Sequence, residues 1–493
     1  ERHAAAQAAH AGYLAAFIQA REKELTTNPS PALLDEVAAD IENVRVAWRY
    51  ALERDEMELL LQMVVGLAKF RHNRAEWSGV VDTAYLMAAS HCEETWGKVL
   101  ATRSGEDALK AQLVWGLILR ESGTAQRRAG RTAHYVALIK RAIQRLHPIS
   151  ERWPGHLAVA YLERSLCTSL AGETIDPFEM VDIAIHWAEK AESPRELCSI
   201  LSEKGVKLIN AGRLAEGIAD CQRAVSLADE ANVIDVKIGA LSRLGIAAHR
   251  LGDYTQAYTA LQSANELKSR VNNAFIEWSV SVARINLLRD MGKLQEAALG
   301  VADLERYVRQ PNVSVSNYWL IELPILQAMV FWDEGELEQA LSLLEVGLEK
   351  QVALGHQGGG EADVRLFLAW VVSRKGDLRR GIDEARRSLA AYAKLQHTPQ
   401  QAEALALLSQ LHTLAGSETP TAIRQSIDLA LRLSQSAGTV PVTLEALYSL
   451  ALLHSRGDPE EQAQAIRLLA LIDKHPSARW RGAERGIGCA CSA

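Results

Sequence analysis

The sequence predicts an all-α chain built as a solenoid, a stack of helix–turn–helix units about 40 residues long. Three observations lead there. Alanine and leucine dominate, aromatic residues make up only 6% of the 493 positions, and alternating runs of valine, isoleucine and threonine are scarce, so helix propensity prevails. Glycines at 172, 212, 252, 292, 335, 376, 416 and 457 follow one another at spacings of 40, 40, 40, 43, 41, 40 and 41. Unrelated loops would not keep step over so many positions. Between them, apolar residues recur at three- and four-residue steps, the period of a helix face.

The unit is clearest between Val236 and Arg270. Leu244 and Gly245 stand midway along a first helix, Gly252-Asp253-Tyr254 forms a tight turn, and Ala257, Leu261 and Ala264 share one face of a second helix. Small residues at 245 and 257 let two helices approach closely, and Gly252 has the backbone freedom to end one helix and reverse the chain. The triplet recurs as Gly212-Arg213-Leu214, Gly292-Lys293-Leu294, Gly335-Glu336-Leu337 and Gly376-Asp377-Leu378. Three residues beyond the five triplets stand Gly217, Ala257, Ala297, Ala340 and Gly381. This is the tetratricopeptide pattern, each unit about six residues longer than the 34-residue standard. Such units cannot bury their apolar faces alone, so they are expected to stack into a right-handed superhelical α-solenoid with a concave inner surface. The turns at 416 and 457 look looser, and Gly123 with Gly172 marks degenerate earlier units.

Ahead of the array, residues 1–25 read as an alanine-rich helix broken at Thr26-Thr27-Asn28-Pro29. Ser30 is placed to cap the next helix, with Pro31 at its first position, and a stripe from Leu33 through Val37, Ile41, Val44 and Trp48 carries that helix to Leu52. A pair over 56–71 and 75–90 is joined around His72-Asn73-Arg74, residues 92–104 look irregular, and Ser104-Gly105 makes a break. The expected domains are an N-terminal segment with degenerate repeats over 1–104, the repeat array over 105–476, and an irregular tail over 477–493. The first residue is Glu1, so the natural N-terminus and an upstream module are expected to be missing.

A net charge of −7 leaves no chain-wide basic footprint, and the local run Gln126-Arg127-Arg128-Ala129-Gly130-Arg131 reads as solvated surface, so no direct nucleic-acid contact is expected. No apolar run approaches the roughly 18 residues of a membrane span. Cysteines at 92, 167, 198, 221, 489 and 491 are scattered, the first four at apolar or small-residue helix positions, which fits a reduced, cytoplasmic setting. Gly358-Gly359-Gly360 lacks the lysine of a phosphate loop, and Cys489-Ala490-Cys491 lacks a second ligand pair. The Asn312-Val313-Ser314 sequon has no role in a cytoplasmic chain. No catalytic constellation, cofactor or metal is expected.

The inner face of the array is the candidate site. In tetratricopeptide repeats the first helix of each pair lines the groove, at set offsets before the turn glycine. Those offsets select Ser202 and Asn210; Ser242, His249 and Arg250; Asn286, Arg289 and Asp290; Glu322, Trp332 and Asp333; and Asp363, Trp370 and Arg374. Arginine forks, carboxylates and tryptophan faces suit recognition of a protein or peptide segment, or of a small-molecule inducer. On this reading Arg289→Ala or Trp370→Ala weakens binding with little effect on melting temperature.

A wider resemblance rests on Arg2-His3-Ala4, Gly12-Tyr13-Leu14, Ile41-Glu42-Asn43-Val44-Arg45-Val46-Ala47-Trp48 and Arg74-Ala75-Glu76-Trp77, and on Leu468-Leu469-Ala470-Leu471-Ile472-Asp473-Lys474-His475-Pro476. These resemble the region that follows the ATPase and winged-helix modules in bacterial signal-transduction ATPases with numerous domains, including transcriptional regulators of the maltose-regulon-activator and antibiotic-regulatory-protein types. The resemblance implies a non-enzymatic sensor arm that binds an inducer or partner and controls an ATPase and output module absent from this chain. A protein–protein assembly scaffold without a small ligand is the alternative. The glycine- and cysteine-rich end departs from the charged helical close of that group.

Overall fold

A computed structural model describes residues 2–27, 29–74, 77–129, 131–166, 169–170, 173–174, 176–271, 273–310, 317–353, 359–395 and 397–475. Among these lie α1 Arg2–Thr27, α2 Pro31–Glu53, α3 Met57–Asn73, α4 Ser78–His91, α5 Gly97–Thr102, α6 Gly105–Arg128, α7 Thr132–Leu146 and α8 Pro154–Ser165. Next come α9 Pro177–Lys190, α10 Pro194–Asn210, α11 Leu214–Glu230, α12 Ile234–Leu251, α13 Tyr254–Lys268, α14 Ala274–Asp290, α15 Leu294–Val308 and α16 Asn317–Glu334. The series closes with α17 Leu337–Ala353, α18 Gly359–Arg374, α19 Leu378–Leu395, α20 Thr398–Ala415, α21 Pro420–Ser436, α22 Val440–His454 and α23 Pro459–Lys474. One two-residue antiparallel pair, β1 Ser169–Leu170 against β2 Glu173–Thr174, interrupts the helices. The fold is an all-α solenoid of helix–turn–helix repeats.

The chain forms two compact units: unit 1 comprises Glu1–Lys204, Gln222–Ala240 and Glu266–Glu277, and unit 2 comprises Gly205–Cys221, Leu241–Asn265 and Trp278–Ala493. Helices α10 to α14 contribute residues to both. In unit 1 the helices from α1 to α8 share one apolar core, in which Leu14, Ile18, Leu34, Trp48, Leu60, Phe70, Tyr85, Trp96 and Trp115 are buried. Ser30 caps α2 as its sequence suggests, accepting from the Leu33 N–H at 3.2 Å with Pro31 behind it. The irregular stretch after α4 is a π-helical turn, Cys92–Trp96, that continues directly from it. The turn buries Trp96, whose indole N–H donates to Asp55 Oδ1 at 2.7 Å. Residue 104, where the first segment was expected to close, lies inside unit 1, and α6 beyond it packs on α3 and α4.

Gly123 is no turn. It sits in the interior of α6, where an added Cβ would lie 2.8 Å from Ile139 Cδ1 of α7. Its role is that of Gly245, whose added Cβ would lie 2.5 Å from Leu261 Cγ. Gly172, Gly130, Gly358, Cys167, Cys489, Cys491, the Asn312-Val313-Ser314 sequon, Ala75, Glu76, Pro476 and the tail over 477–493 fall outside the described residues. Cys92, Cys198 and Cys221 are buried free thiols.

The array's turns share one chemistry. Gly212, Gly252, Gly292, Gly335, Gly376 and Gly416 have φ of 81°, 82°, 75°, 85°, 96° and 58°, the left-handed conformation that ends a helix. After the first five, the next residue's N–H donates to the carbonyl five residues back: Arg213 to Leu208, Asp253 to Ala248, Lys293 to Leu288, Glu336 to Phe331 and Asp377 to Val372, at 2.8 to 3.0 Å. Gly457, by contrast, has no positive φ; the helix after it starts from an Asp458 capping box closed by Glu461. Ala257, Ala297 and Ala340 are fully buried at the crossings of their helix pairs, and at Gly217 an added Cβ would lie 3.0 Å from the Gly205 carbonyl oxygen.

Unit 2 also closes on itself. The turn at Gly212 abuts the turn after α21, so that a Cβ on Gly212 would lie 2.7 Å from Ala437 Cβ. Gly376 has the same backbone conformation with nothing within 4 Å. Gly376→Ala should therefore cost about 1 kcal/mol, from backbone strain alone. Gly212→Ala should cost about 1–3 kcal/mol more, because the Ala437 backbone must also move. Urea-denaturation midpoints of the two variants check the difference; equal losses would show that the Ala437 contact does not form.

Candidate functional site

The fourteen groove positions selected by their offsets meet different fates. Ser202 and Ser242 are buried, 0% and 4% exposed, and present nothing to the inner surface. Arg289 at the end of α14 forks onto Asp333 of α16, Nε to Oδ2 at 2.5 Å and Nη2 to Oδ1 at 3.0 Å, with both side chains only 4% exposed. His249 Nε2 of α12 meets Asp290 Oδ2 of α14 at 2.8 Å. Trp332 is buried edge-on to Phe367, with the exposed Arg374 guanidinium 4.9 Å from its ring. Trp370 is half-buried in the packing on both sides of α18. His249, Arg289, Asp290, Trp332 and Asp333 thus tie successive first helices together, which corrects the expectation that Arg289 is a dispensable ligand contact. Each first helix shows one side of that stripe to its neighbour and the other to the interior.

The remaining positions converge. Arg250 Nη1 donates to the Ile209 carbonyl at 3.2 Å and to Asn210 Oδ1 at 3.4 Å, which joins α12 to α10. Asn286 lies half-buried on α14. Glu322 Oε2 accepts from the Trp278 indole N–H at 2.6 Å, and Trp278 stacks on Trp319 with ring centroids 5.1 Å apart and planes 8° from parallel. Asp363 Oδ1 accepts from the Tyr392 hydroxyl at 2.5 Å. Arg250, Glu322, Asp363 and Glu403 influence one another electrostatically, although they come from α12, α16, α18 and α20.

Their protonation reflects that setting. Burial pushes the Glu322 carboxyl up to about 7, against the Trp278 hydrogen bond. Asp363 keeps exposed surface, yet the desolvation imposed by the helices around it raises it to about 6, with Glu403 adding to the rise and Tyr392 and Arg250 opposing it. Burial lowers Arg250, and burial together with Arg250 lowers His397. The site is therefore a polar interior with one guanidinium, three carboxyl groups and a stacked tryptophan pair, able to exchange hydrogen bonds with a polar or cationic ligand. Among the described residues no group of three or more His, Cys, Asp or Glu could hold a metal.

Offset reasoning passed over Glu403, Trp278, Trp319, Tyr392 and His397. Glu403 was findable, since it follows Asp363 by 40 residues and sits in the same register of the next first helix. Tyr392 reaches in from a second helix, α19, which that register excludes. In the basic run, Arg127 lies 5.9 Å from the Tyr135 ring centroid and Arg128 lies 3.7 Å from Asp82, so both arginines are engaged within unit 1.

No family model and no curated protein matches the chain. Similar solved structures include a Rap protein complexed with competence and sporulation factor, at 12% identity over 82% of this chain and 97% of that one, with a TM-score of 0.41. Yeast Tom70 matches at 13% identity over 93% and 98%, with a TM-score of 0.38. A signal-transduction ATPase with numerous domains and a tetratricopeptide-repeat sensor, from Pyrococcus horikoshii, matches at 12% identity over 80% and 54%, with a TM-score of 0.32. At these similarities the chain's class rests on its own geometry, which is that of a tetratricopeptide-like repeat protein. No helix among the described residues is long and apolar enough to cross a membrane.

Two outcomes follow. Arg289→Ala should destabilise the chain by roughly 3–5 kcal/mol, because it strands the Asp333 carboxylate in the interior; denaturant unfolding measures it, and a loss near zero would contradict the buried pair. Glu322 and Asp363 have folded-state values of about 7 and about 6, above the ordinary 4.5 and 3.8, so the folded chain binds more protons than the unfolded chain in between. Their contribution is fully present below pH about 4 and is lost as pH rises through 6 to 7. Glu322→Gln with Asp363→Asn should flatten the fall in melting temperature between pH 5 and pH 8 (roughly the window those values set), and an unchanged slope would refute the assignment.

Proposed function

We propose that this chain is the non-enzymatic sensor arm of a bacterial signalling ATPase or transcriptional regulator, of the type its N-terminal run resembles. The inner face of unit 2 takes a protein or peptide segment, or a small-molecule inducer. The observation that carries the reading is the convergence of Arg250, Glu322, Asp363 and Glu403 from four first helices onto one interior. A ligand held there touches several repeats at once, so it favours whichever packing of those repeats best matches it, in proportion to its differential affinity. The upstream ATPase module and the output module belong to the parent protein, in the cytoplasm. The assembly-scaffold reading draws on a separate observation: α23 leaves Ile466, Leu469 and Leu471 exposed at 69%, 43% and 58%, apolar surface suited to another protein.

A thermal-shift screen of the whole chain against metabolites, nucleotides and short peptides separates the two. A ligand of the folded state raises the melting temperature with the logarithm of its concentration over Kd. Arg250→Ala and Asp363→Asn should each reduce that ligand's affinity by about tenfold or more, while Arg374→Ala, at the exposed end of α18, should not. A shift retained in full by both interior variants would remove the site. A screen without a hit, with a protein captured by wild type and lost on Ile466→Asp, would favour the scaffold.

A further inference from the structure

Unit 1 has a polar interior of its own, built from side chains that no repeat offset selects. Lys69 and His72 share one face of α3, three residues apart, and Arg71 beside them is buried at 2%. Arg71 donates to Asp82 Oδ1 at 2.8 Å and to Glu121 Oε2 at 2.6 Å, and Arg120 donates to Glu121 Oε1 at 2.7 Å. Arg128 Nη1 stands 3.7 Å from Asp82, and Arg195 Nη2 donates to Asp235 Oδ2 at 3.2 Å. His72 Nε2 meets the Asn273 amide Nδ2 at 3.1 Å, a contact across 201 residues.

The pairing leaves a remainder. Asp82, Glu121 and Asp235 each have an arginine, whereas the half-buried Lys69 ammonium has neither an ion pair nor a hydrogen-bond acceptor among the described residues. Three more atoms here are buried and unmatched: Nε of Arg71 and Nη1 of Arg195, both donors, and Oδ1 of Asp235, an acceptor. Lys69 lies within electrostatic reach of Glu22 on α1, Arg120 and Glu121 on α6, His156 on α8, Arg195 on α10 and Asp235 on α12, besides His72 on its own helix. Burial, then Arg195 and Arg120, pull the Lys69 ammonium below its usual range, and Asp235 and Glu121 only partly oppose them. His72 keeps exposed surface, but loss of solvation among the surrounding helices and the neighbouring cations hold it down to about 4, and the half-buried His156 down to about 3, so both are neutral at pH 7. Burial alone would raise Glu121, but Arg120 and Arg71 hold it at about 2, so it is spent on those two partners. A desolvated, unmatched cation beside an unmatched guanidinium N–H is the complement of an anion.

We propose that the interior of unit 1 binds a small oxyanion-bearing ligand, a carboxylate or a phosphate, between Lys69 and Arg195 Nη1, with Asp235 Oδ1 accepting from a hydroxyl or ammonium on the same molecule. This site lies in unit 1 and stands or falls independently of the sensor surface of unit 2.

Isothermal titration of the full chain with inorganic phosphate and, separately, with malate tests it. The expected result is saturable binding of one probe with a Kd of about 1 mM or tighter. Lys69→Met should weaken that binding about tenfold or more, with the melting temperature equal or higher because an unpartnered charge is gone. Lys69→Arg should restore most of the affinity. If Lys69→Met does not fold, Arg195→Gln takes its place, with the same loss of affinity expected. No saturable binding of either probe at about 10 mM, or binding unchanged in the folded variants, overturns the proposal; the two probes decide between phosphate and carboxylate.

Discussion

Two helices that touch through small side chains are the constraint from which the rest of this structure follows. Where Gly205 faces Gly217, or Gly245 faces Leu261, one added carbon would enter a neighbour's van der Waals shell. Close axes let Leu, Ile and Ala side chains from both helices fill one core, which offsets the entropy of ordering a unit too small to fold alone. The left-handed glycine at the end of the first helix makes the approach possible, because the chain reverses within three residues and the carbonyls it frees are satisfied at once.

Stacking such pairs leaves each first helix with two polar obligations. One side faces the first helix of the next repeat, and there the chain places charge pairs beside aromatic contacts: His249 with Asp290, and Arg289 with Asp333. In a poorly solvated seam these are demanding partners, since each is tolerable only while the other is present. They fix the register between repeats more sharply than interchangeable aliphatic side chains would. The other side faces the interior of its unit. There Glu322 and Asp363 lose water without gaining a full counter-charge, and their carboxyls rise toward neutrality.

The two units solve the same problem with opposite remainders. Unit 2 closes around three carboxyls and one guanidinium, with a stacked tryptophan pair at the wall. Unit 1 closes around arginine-held carboxylates with a lysine left over and two neutral histidines beside it. A chain whose net charge is only −7 therefore carries interiors of unlike chemistry, which the sum over the sequence conceals.

Much of the architecture was legible in the residues themselves. The 40-residue beat of the glycines from 212 to 416, the small residue after each turn triplet and the Ser30-Pro31 helix start are local devices, acting within a few bonds of the residue that encodes them, and each appears where the sequence places it. Gly123 was misplaced because a glycine needed for a turn and one needed for close packing look alike until the partner helix is known; Ile139 settles which it is. The site was legible only in part, since register says which residues lie on first helices but not whether a given side turns to the neighbouring repeat or to the interior. By itself the sequence determined the repeat, its helices and its turns, because those depend on backbone conformation and local pattern. Only the tertiary structure decided that Arg289 is bound to Asp333, that Glu403 and Tyr392 join Asp363, and that Lys69 is left unmatched, because each depends on contacts across dozens of residues and on how much water remains around a charge.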